Sequence, residues 1–219
     1  MMTFSLEALY ALHIFNEYSD DLFLLPLPHQ EGKSRLDDLR RTLEQGYQDL
    51  AAMGLIVDHK PSQACAYYGA FLKGYHRAYY HCQVDNNYFC AQETDSNKWN
   101  SIVIKKIGDN RYVLENLHSL IFLAHLKEIH PLLEDLEKKR KNYAYYTWEP
   151  FSSFRLQTYY RNREALHLQT FRRRELIKDS LFFEAPSGIY EFDYSKEMIR
   201  SLSGSELRDL VIADLKVRV

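Results

Sequence analysis

The chain has 219 residues, of which 46% are hydrophobic and 26% are charged, and its formal net charge is −2. This length fits one large domain or two small fused units, with a core that needs no disulfide staples. The composition is that of an ordinary globular protein, and a net charge of −2 argues against a general nucleic-acid-binding protein, which needs a basic surface.

The first third of the chain is predicted to be helical. Ser5 and Ser34 each precede a run of apolar residues at three- and four-residue steps, and both are good N-cap residues. Gly54 is placed to end the second helix, because glycine readily adopts the left-handed conformation that stops helices. Pro61 and Ser62 open a third helix. We therefore expect three helices here, with a short strand at Leu55-Ile56-Val57 between the second and the third.

Antiparallel strands are predicted next. Residues 79–84 and 88–94 flank the turn-forming segment 85–87, and residues 99–107 and 111–117 flank a second such segment at 108–110. Residues 117–140 then carry leucines along a long predicted helix. Pro131 is expected to kink or restart that helix, because proline lacks the backbone donor.

The second half repeats this order of elements. An aromatic segment precedes three strand-like runs at 165–173, 176–184 and 189–194, and a helix capped by Ser203 or Ser205 closes the chain. The sequence therefore predicts an α+β protein in which a central antiparallel sheet is flanked by helices. The halves 1–140 and 141–219 are either a two-fold pseudo-repeat, fused into one domain, or two α+β segments whose order matches by chance.

No motif of catalysis or cofactor binding is present. The eight glycines form no phosphate-binding loop, and neither a nucleophile elbow nor an HExxH pair occurs. His76, His81, Cys82 and Cys90 invite a zinc site, but His81 and Cys82 point to opposite faces of a strand and cannot share one ion. We predict a protein that is not an enzyme, with no cofactor and no metal.

Cysteine number and chain hydropathy predict a cytoplasmic protein. Three cysteines are an odd set and too few for a secreted disulfide framework. The first residues lack the basic region of a secretion signal, and no apolar stretch approaches the length of a membrane span.

A basic run, Arg172-Arg173-Arg174, lies on a predicted strand. One interpretation is an anion-binding patch. The alternative is a charged sheet edge or solvated face, since charges on edge strands discourage aggregation.

The first 130 or so residues resemble the EspG-type chaperones of type VII secretion. The stretches that carry the resemblance are 4–12 (FSLEALYAL), 53–56 (MGLI), 88–91 (YFCA), 99–104 (WNSIVI) and 111–114 (RYVL). EspG-type proteins are cytosolic, are built as two quasi-equivalent halves around a central sheet, and hold a secreted helical-hairpin substrate before export. The resemblance, as to a distant Gram-positive relative, implies a non-enzymatic chaperone or adaptor with a WXG- or LXG-like helical-hairpin partner.

Six residues are predicted to contact that partner. In the family, a loop of the central ribbon touches the tip of the substrate hairpin, which implies a partner contact at Asn97, Lys98 and Trp99. Aromatic residues at helical steps in the second half add Trp148, Phe151 and Phe154, because aromatic anchors dominate interface energetics. The alternative for Trp99 is an ordinary place in the core.

A different class of function stays open. The order of three helices and a strand ribbon also fits a winged-helix DNA-binding regulator. Its third helix carries few of the Arg, Lys, Asn and Gln side chains that read a DNA groove, with Gln63 and Lys73 as the candidates.

Overall fold

The computed structural model describes residues 2–16, 19–92, 99–159 and 165–218, without the side chains of Tyr143 and of residues 157–159. Over these ranges it has six α-helices and a large antiparallel sheet of nine strands, which confirms the predicted α+β class.

The elements follow one another in this order. The helices are α1 (Leu6–Phe15), α2 (Arg35–Ala52), α3 (Gln63–Arg77), α4 (Ser119–Ile129), α5 (Ser153–Tyr159) and α6 (Gly204–Asp214). The strands are β1 (Ile56–Val57), β2 (Lys60–Pro61), β3 (Tyr80–Val84), β4 (Tyr88–Gln92), β5 (Asn100–Gly108), β6 (Arg111–His118), β7 (Glu149–Pro150), β8 (Ala165–Arg172), β9 (Glu175–Ala185), β10 (Gly188–Asp193) and β11 (Met198–Leu202). Strands β1 and β2 pair with each other, and the other nine form a sheet in the order β6-β5-β4-β3-β8-β9-β10-β11-β7.

Serine caps begin four of the helices, as their local sequence predicts. The Oγ atoms of Ser5, Ser34, Ser62 and Ser203 accept hydrogen bonds from backbone N–H groups three residues on, at 3.0–3.2 Å. Ser34 and Ser203 form full capping boxes, each with an acidic residue at the third helical position. Each such cap stabilises its helix by about 1 kcal/mol.

The predicted long helix at 117–140 is wrong in its length. Helix α4 ends at Ile129, and 3₁₀ turns follow at Pro131–Leu133 and Leu136–Lys138. Pro131 is the physical reason, because it disfavours the helical conformation for His130, whose φ and ψ are −120° and 96°. Of the two expected outcomes, a kink is wrong, and the chain restarts after His130 only as short 3₁₀ turns.

Three strands were missed from the sequence, and one of them, β2, has only two residues. Strand β7 has only two residues, and β11 follows a short turn in which Glu197 adopts a positive φ of 49°. Residues of β11 alternate in burial only partly, because two consecutive residues at its end are buried. None of the three strands has the clean period of two that reveals strands in a sequence.

The chain divides into two compact units. Unit 1 comprises Met1–Tyr79 and Asn87–Asn116, and unit 2 comprises Tyr80–Asn86 and Leu117–Val219. The predicted boundary after residue 140 falls inside unit 2. Both units combine helices with antiparallel strands, and the two-fold repeat stays a prediction.

Helices α1 and α2 of unit 1 cross through backbone contact at Gly46. A Cβ atom added to Gly46 would overlap the carbonyl oxygen of Glu7, and would stand 2.6 Å from its carbonyl carbon and 2.7 Å from Cβ of Ala11. Both Ala8 and Ala11 are fully buried. Small residues on both helices therefore permit this close approach.

Unit 2 has an aromatic layer on one face of its strands. Tyr190 and Phe192 of β10 pack with Phe183 of β9 and Ile199 of β11, and all four side chains are fully buried. Helix α6 begins at Gly204, where an added Cβ would overlap the carbonyl oxygen of Leu136.

A buried carboxylate lies within unit 2, on Glu191, whose side chain is 1% exposed. It accepts hydrogen bonds from Oγ of Ser180 at 2.9 Å and from Nε and Nη2 of Arg200 at 2.8 and 2.5 Å. Nζ of Lys178 lies 3.3 Å from the same carboxylate and donates to Asp214 at 2.6 Å. Burial raises the pKa of Asp214. Arg200 and Lys178 therefore both compensate the fully buried charge of Glu191.

Candidate partner-binding surfaces

The residues predicted to contact a partner differ in whether the structure describes them and in how exposed they are. Asn97 and Lys98 lie outside the described residues. Trp99 directly precedes β5 and is 45% exposed. An exposure this large in a tryptophan is uncommon for a core residue, so Trp99 is placed where a partner can reach it.

The three aromatic residues predicted in the second half differ in their burial. Phe151 is 5% exposed and packs edge-to-face on Phe192, with ring centroids 6.5 Å apart. Phe154, in α5, is 75% exposed. Trp148 is half-buried beneath the guanidinium of Arg200, which lies 4.6 Å from its ring. The structure therefore gives Phe151 a place in the core and leaves Phe154 on the surface.

Unit 2 contains an apolar groove that sequence analysis did not find. It has a volume of about 390 Å³ and lies among α4, the turn after it and α6. Its apolar lining residues are Leu123, Leu133, Leu136, Val211 and Ile212. These come from two regions far apart in sequence, residues 123–136 and α6, so no local pattern indicates them.

Charged side chains form the rim of this groove. Lys127, Lys138 and Arg208 are its cations, against Asp135 and Glu137. Lys138 donates to Asp135 at 2.7 Å and lowers the pKa of that carboxyl group, and Arg208 contacts Asp209. Lys127 makes no ion pair with any described residue, so the rim has a basic excess.

Helix α3 presents an aromatic surface. Tyr67 is 58% exposed, and its ring lies 4.6 Å from that of Phe71, centroid to centroid. Other exposed positions of α3 include Ala64 and Ala70, and Lys73 and Arg77 are its exposed cations. The exposed side chains of α3 therefore combine aromatic area with the polar Gln63 and these two cations.

A cleft in unit 1 is lined by polar and apolar groups around Tyr10, with a volume of about 610 Å³. Its hydroxyl donates to the carbonyl of Leu25 at 2.7 Å, and burial raises the pKa of Tyr10 to about 12. Asp38 lies at the same cleft with its side chain 2% exposed. The carboxylate accepts from the backbone of Gln30 at 3.1 Å and lies 2.6 Å from Nδ1 of His29.

The charge of Asp38 should make stability depend on pH. The hydrogen bond with His29 holds the pKa of Asp38 below its ordinary value. Because the pKa is lowered, the ionised carboxylate stabilises the fold at any pH above the ordinary pKa of aspartate. This contribution disappears as the pH falls through the folded-state pKa. We expect Asp38→Asn to have a lower Tm than the unmodified chain at pH 7, and the gap to narrow as the pH falls below about 4, the ordinary pKa of aspartate. Thermal unfolding at pH 7, 5 and 3 measures this.

The control is Asp209→Asn, which removes a carboxylate that is 68% exposed. Its Tm should track that of the unmodified chain at every pH. A gap for Asp38→Asn that stays constant from pH 7 to pH 3 would contradict the role of the charge.

The three cysteines, and His76 and His81, all lie within the described ranges. Cys65, Cys82 and Cys90 are buried free thiols, and burial raises the pKa of the Cys65 thiol. A raised pKa lowers the thiolate fraction, which is the nucleophilic form. Within residues 2–16, 19–92, 99–159 and 165–218, no cluster of three or more His, Cys, Asp or Glu side chains has the geometry of a metal site.

None of the described helices combines the length and the apolar character that crossing a bilayer requires. In comparisons with known proteins, no family model matches the chain, and no curated protein matches it either. The EspG-type resemblance therefore rests on the sequence stretches that carry it.

Proposed function

We propose that this chain is a non-enzymatic, cytoplasmic chaperone or adaptor that holds a secreted helical-hairpin protein of a type VII secretion system. The observation that carries the proposal is the apolar groove of unit 2. A helical partner buries one apolar stripe, and a groove between two helices is a common receptor for such a stripe. Exposed Trp99 and Phe154 are proposed as further contacts.

The groove has suitable chemistry for a helix. Its floor consists of aliphatic side chains, among which Val211 and Leu133 are already buried. Leu120, one turn before Leu123 on α4, is 40% exposed and extends the apolar surface along the helix. A partner helix can therefore place several apolar side chains in a row against α4 and α6.

Charge at the rim indicates which partner helix fits. Because Lys127, Lys138 and Arg208 outnumber Asp135 and Glu137, a helix with acidic residues beside its apolar stripe is complementary. The partner we propose is thus an amphipathic helical hairpin with an acidic flank.

The test uses two fluorescent amphipathic peptides that share one apolar face. One has glutamate on its flanks and the other has lysine. Fluorescence anisotropy should show tighter binding of the acidic peptide, and Lys127→Glu with Arg208→Glu should reverse this preference, because like charges then face each other. Both changes are on exposed side chains, so the Tm should stay within a few degrees.

Matched controls are Arg40→Glu with Lys60→Glu, which change the net charge equally in unit 1. They should leave the peptide preference unaltered. Equal binding of both peptides by the unmodified chain, or a preference that the rim variant does not alter, would rule out the groove as the helix receptor.

Assignment to secretion is tested with a purified WXG-like helical-hairpin protein. We expect binding that survives 0.5 M NaCl and that weakens with Trp99→Ala or Phe154→Ala, because apolar contacts are insensitive to salt. A duplex oligonucleotide serves as the comparison. Salt-sensitive binding of DNA without binding of the hairpin protein would favour the winged-helix alternative.

A further inference from the structure

The arginine run of unit 2 forms the tip of a hairpin. Arg172 ends β8 and lies opposite Glu175, the first residue of β9, so that Arg173 and Arg174 alone make the turn. We call Arg172, Arg173, Arg174 and Lys216, with the ring of Tyr80, the basic tip.

Protection of a sheet edge does not explain this run. Strand β8 lies between β3 and β9, and β9 lies between β8 and β10, so both strands of the hairpin are interior. Of the interpretation as a charged sheet edge or solvated face, the sheet-edge part is therefore wrong, whereas the exposure of Arg172 and Arg173 agrees with a solvated face. Interior strands have no unpaired backbone groups that need charged neighbours against aggregation.

The turn itself disfavours arginine. Arg173 has a φ of 50° and Arg174 has a φ of 68°, which is the pattern of a two-residue turn with both residues left-handed. Such turns favour Asn-Gly, because other side chains are strained there. Two arginines therefore lie where they cost stability, and strain of this kind occurs at functional sites.

Cations converge on one aromatic ring beside the turn. Nζ of Lys216 lies 4.6 Å from the ring centroid of Tyr80, and the guanidinium carbon of Arg172 lies 5.9 Å from it. Tyr80 and Arg172 are cross-strand partners, so β3 and β8 bring them together. Lys216 has a positive φ of 54° just after α6. Two separate segments, the β8–β9 hairpin and the chain after α6, therefore contribute charge to this tip, and β3 contributes the ring.

Apolar side chains adjoin the charges. Leu176 is 48% exposed and Ile177 is 54% exposed, and both follow Glu175 on β9. Glu175 is the one acidic residue in the hairpin turn region between Arg172 and Ile177. A phosphate backbone gains nothing from two exposed aliphatic side chains, whereas a lipid interface binds cations and buries aliphatic groups together.

We propose that the basic tip is a reversible docking site for an anionic lipid surface. The arginines and Lys216 contact lipid phosphates, and Leu176 and Ile177 enter the acyl boundary. The tip is independent of the helix groove in unit 2, so either proposal can fail without the other.

The decisive variant replaces the turn with the residues that it favours, Arg173→Asn with Arg174→Gly. Co-sedimentation is measured with vesicles of equal parts phosphatidylglycerol and phosphatidylcholine, and with phosphatidylcholine alone. We expect binding to the anionic vesicles only, and a loss of about 30-fold in partition for this variant. Its Tm should rise, since the strain is removed. Weaker binding by a more stable protein separates a functional role from a structural one.

The control is Lys33→Gln with Lys60→Gln, which lowers the net charge by the same amount at exposed positions of unit 1. It should bind as the unmodified chain does. Leu176→Ser with Ile177→Ser should leave binding at low salt but abolish the part that survives 0.5 M NaCl.

Three results would overturn the proposal. They are equal sedimentation with neutral and anionic vesicles, equal binding by the turn variant and its control, and binding of a single-stranded oligonucleotide without binding of vesicles.

Discussion

Replacing Gly46 with alanine is expected to lower the free energy of unfolding by about 3 kcal/mol, the upper range for an overpacked site. The added methyl group would overlap the carbonyl oxygen of Glu7, which belongs to the backbone of α1 and cannot rotate away. Helices α1 and α2 must then separate, which opens the contact of Ala11 with α2. Urea unfolding followed by circular dichroism measures the change.

A second glycine in unit 1 provides the matched control. At Gly74, in α3, an added Cβ would stand 2.5 Å from Cδ1 of Ile102, the far end of a flexible side chain. Ile102 can change rotamer, and alanine favours the helix by about 1 kcal/mol over glycine. Gly74→Ala should therefore change stability by about 1 kcal/mol or less. Similar losses for both variants would show that backbone contact between α1 and α2 is not the cause.

Glu191→Ala is the second change with a large expected effect, a loss of about 3–5 kcal/mol. Removing the carboxylate leaves Arg200 and Lys178, whose side chains are 26% and 22% exposed, without the acceptor that they share. Asp214 can still pair with Lys178, but it does not contact Arg200 in the described network. Chemical unfolding of the purified variant gives the value.

A double variant tests whether the loss comes from the unpaired charge. Glu191→Ala combined with Arg200→Ala should be less harmful than the sum of the two single changes, because the stranded cation is then absent. Glu175→Ala, on the exposed start of β9, should change stability by about 0.5 kcal/mol at most. Strict additivity of Glu191→Ala and Arg200→Ala would contradict a shared buried network.

Local chemistry made part of this fold predictable. Serine caps marked the starts of α1, α2, α3 and α6 because a cap acts within one turn of the backbone. Hairpin turn residues marked the strands of unit 1 for the same reason. Pro131 was recognised as a disruption, but whether a chain kinks or stops at a proline depends on what packs beside it.

The strand order and the groove could not be predicted, because they depend on contacts between residues that are far apart in the sequence. Whether the arginine run lies at an edge depends on which strand pairs with β8, and β3 is far away in the chain. Phe151 and Phe154 have the same spacing as two residues on a helical face, yet α5 begins at Ser153, so only Phe154 belongs to it. The groove was invisible because α4 and α6 contribute its walls from distant segments.

Strand β3 belongs to unit 2 although the chain on both sides of it belongs to unit 1. During synthesis on the ribosome, β3 emerges long before β8, the strand with which it pairs. Successive domains usually fold one after another as independent units. Unit 2 cannot do so, because one of its strands is synthesised within the segment that forms unit 1. A fragment that starts at Leu117 would leave one side of β8 without its hydrogen-bonding partner, ready to recruit a strand from another molecule. Proteolytic or genetic dissection must keep residues 80–86 with the second unit.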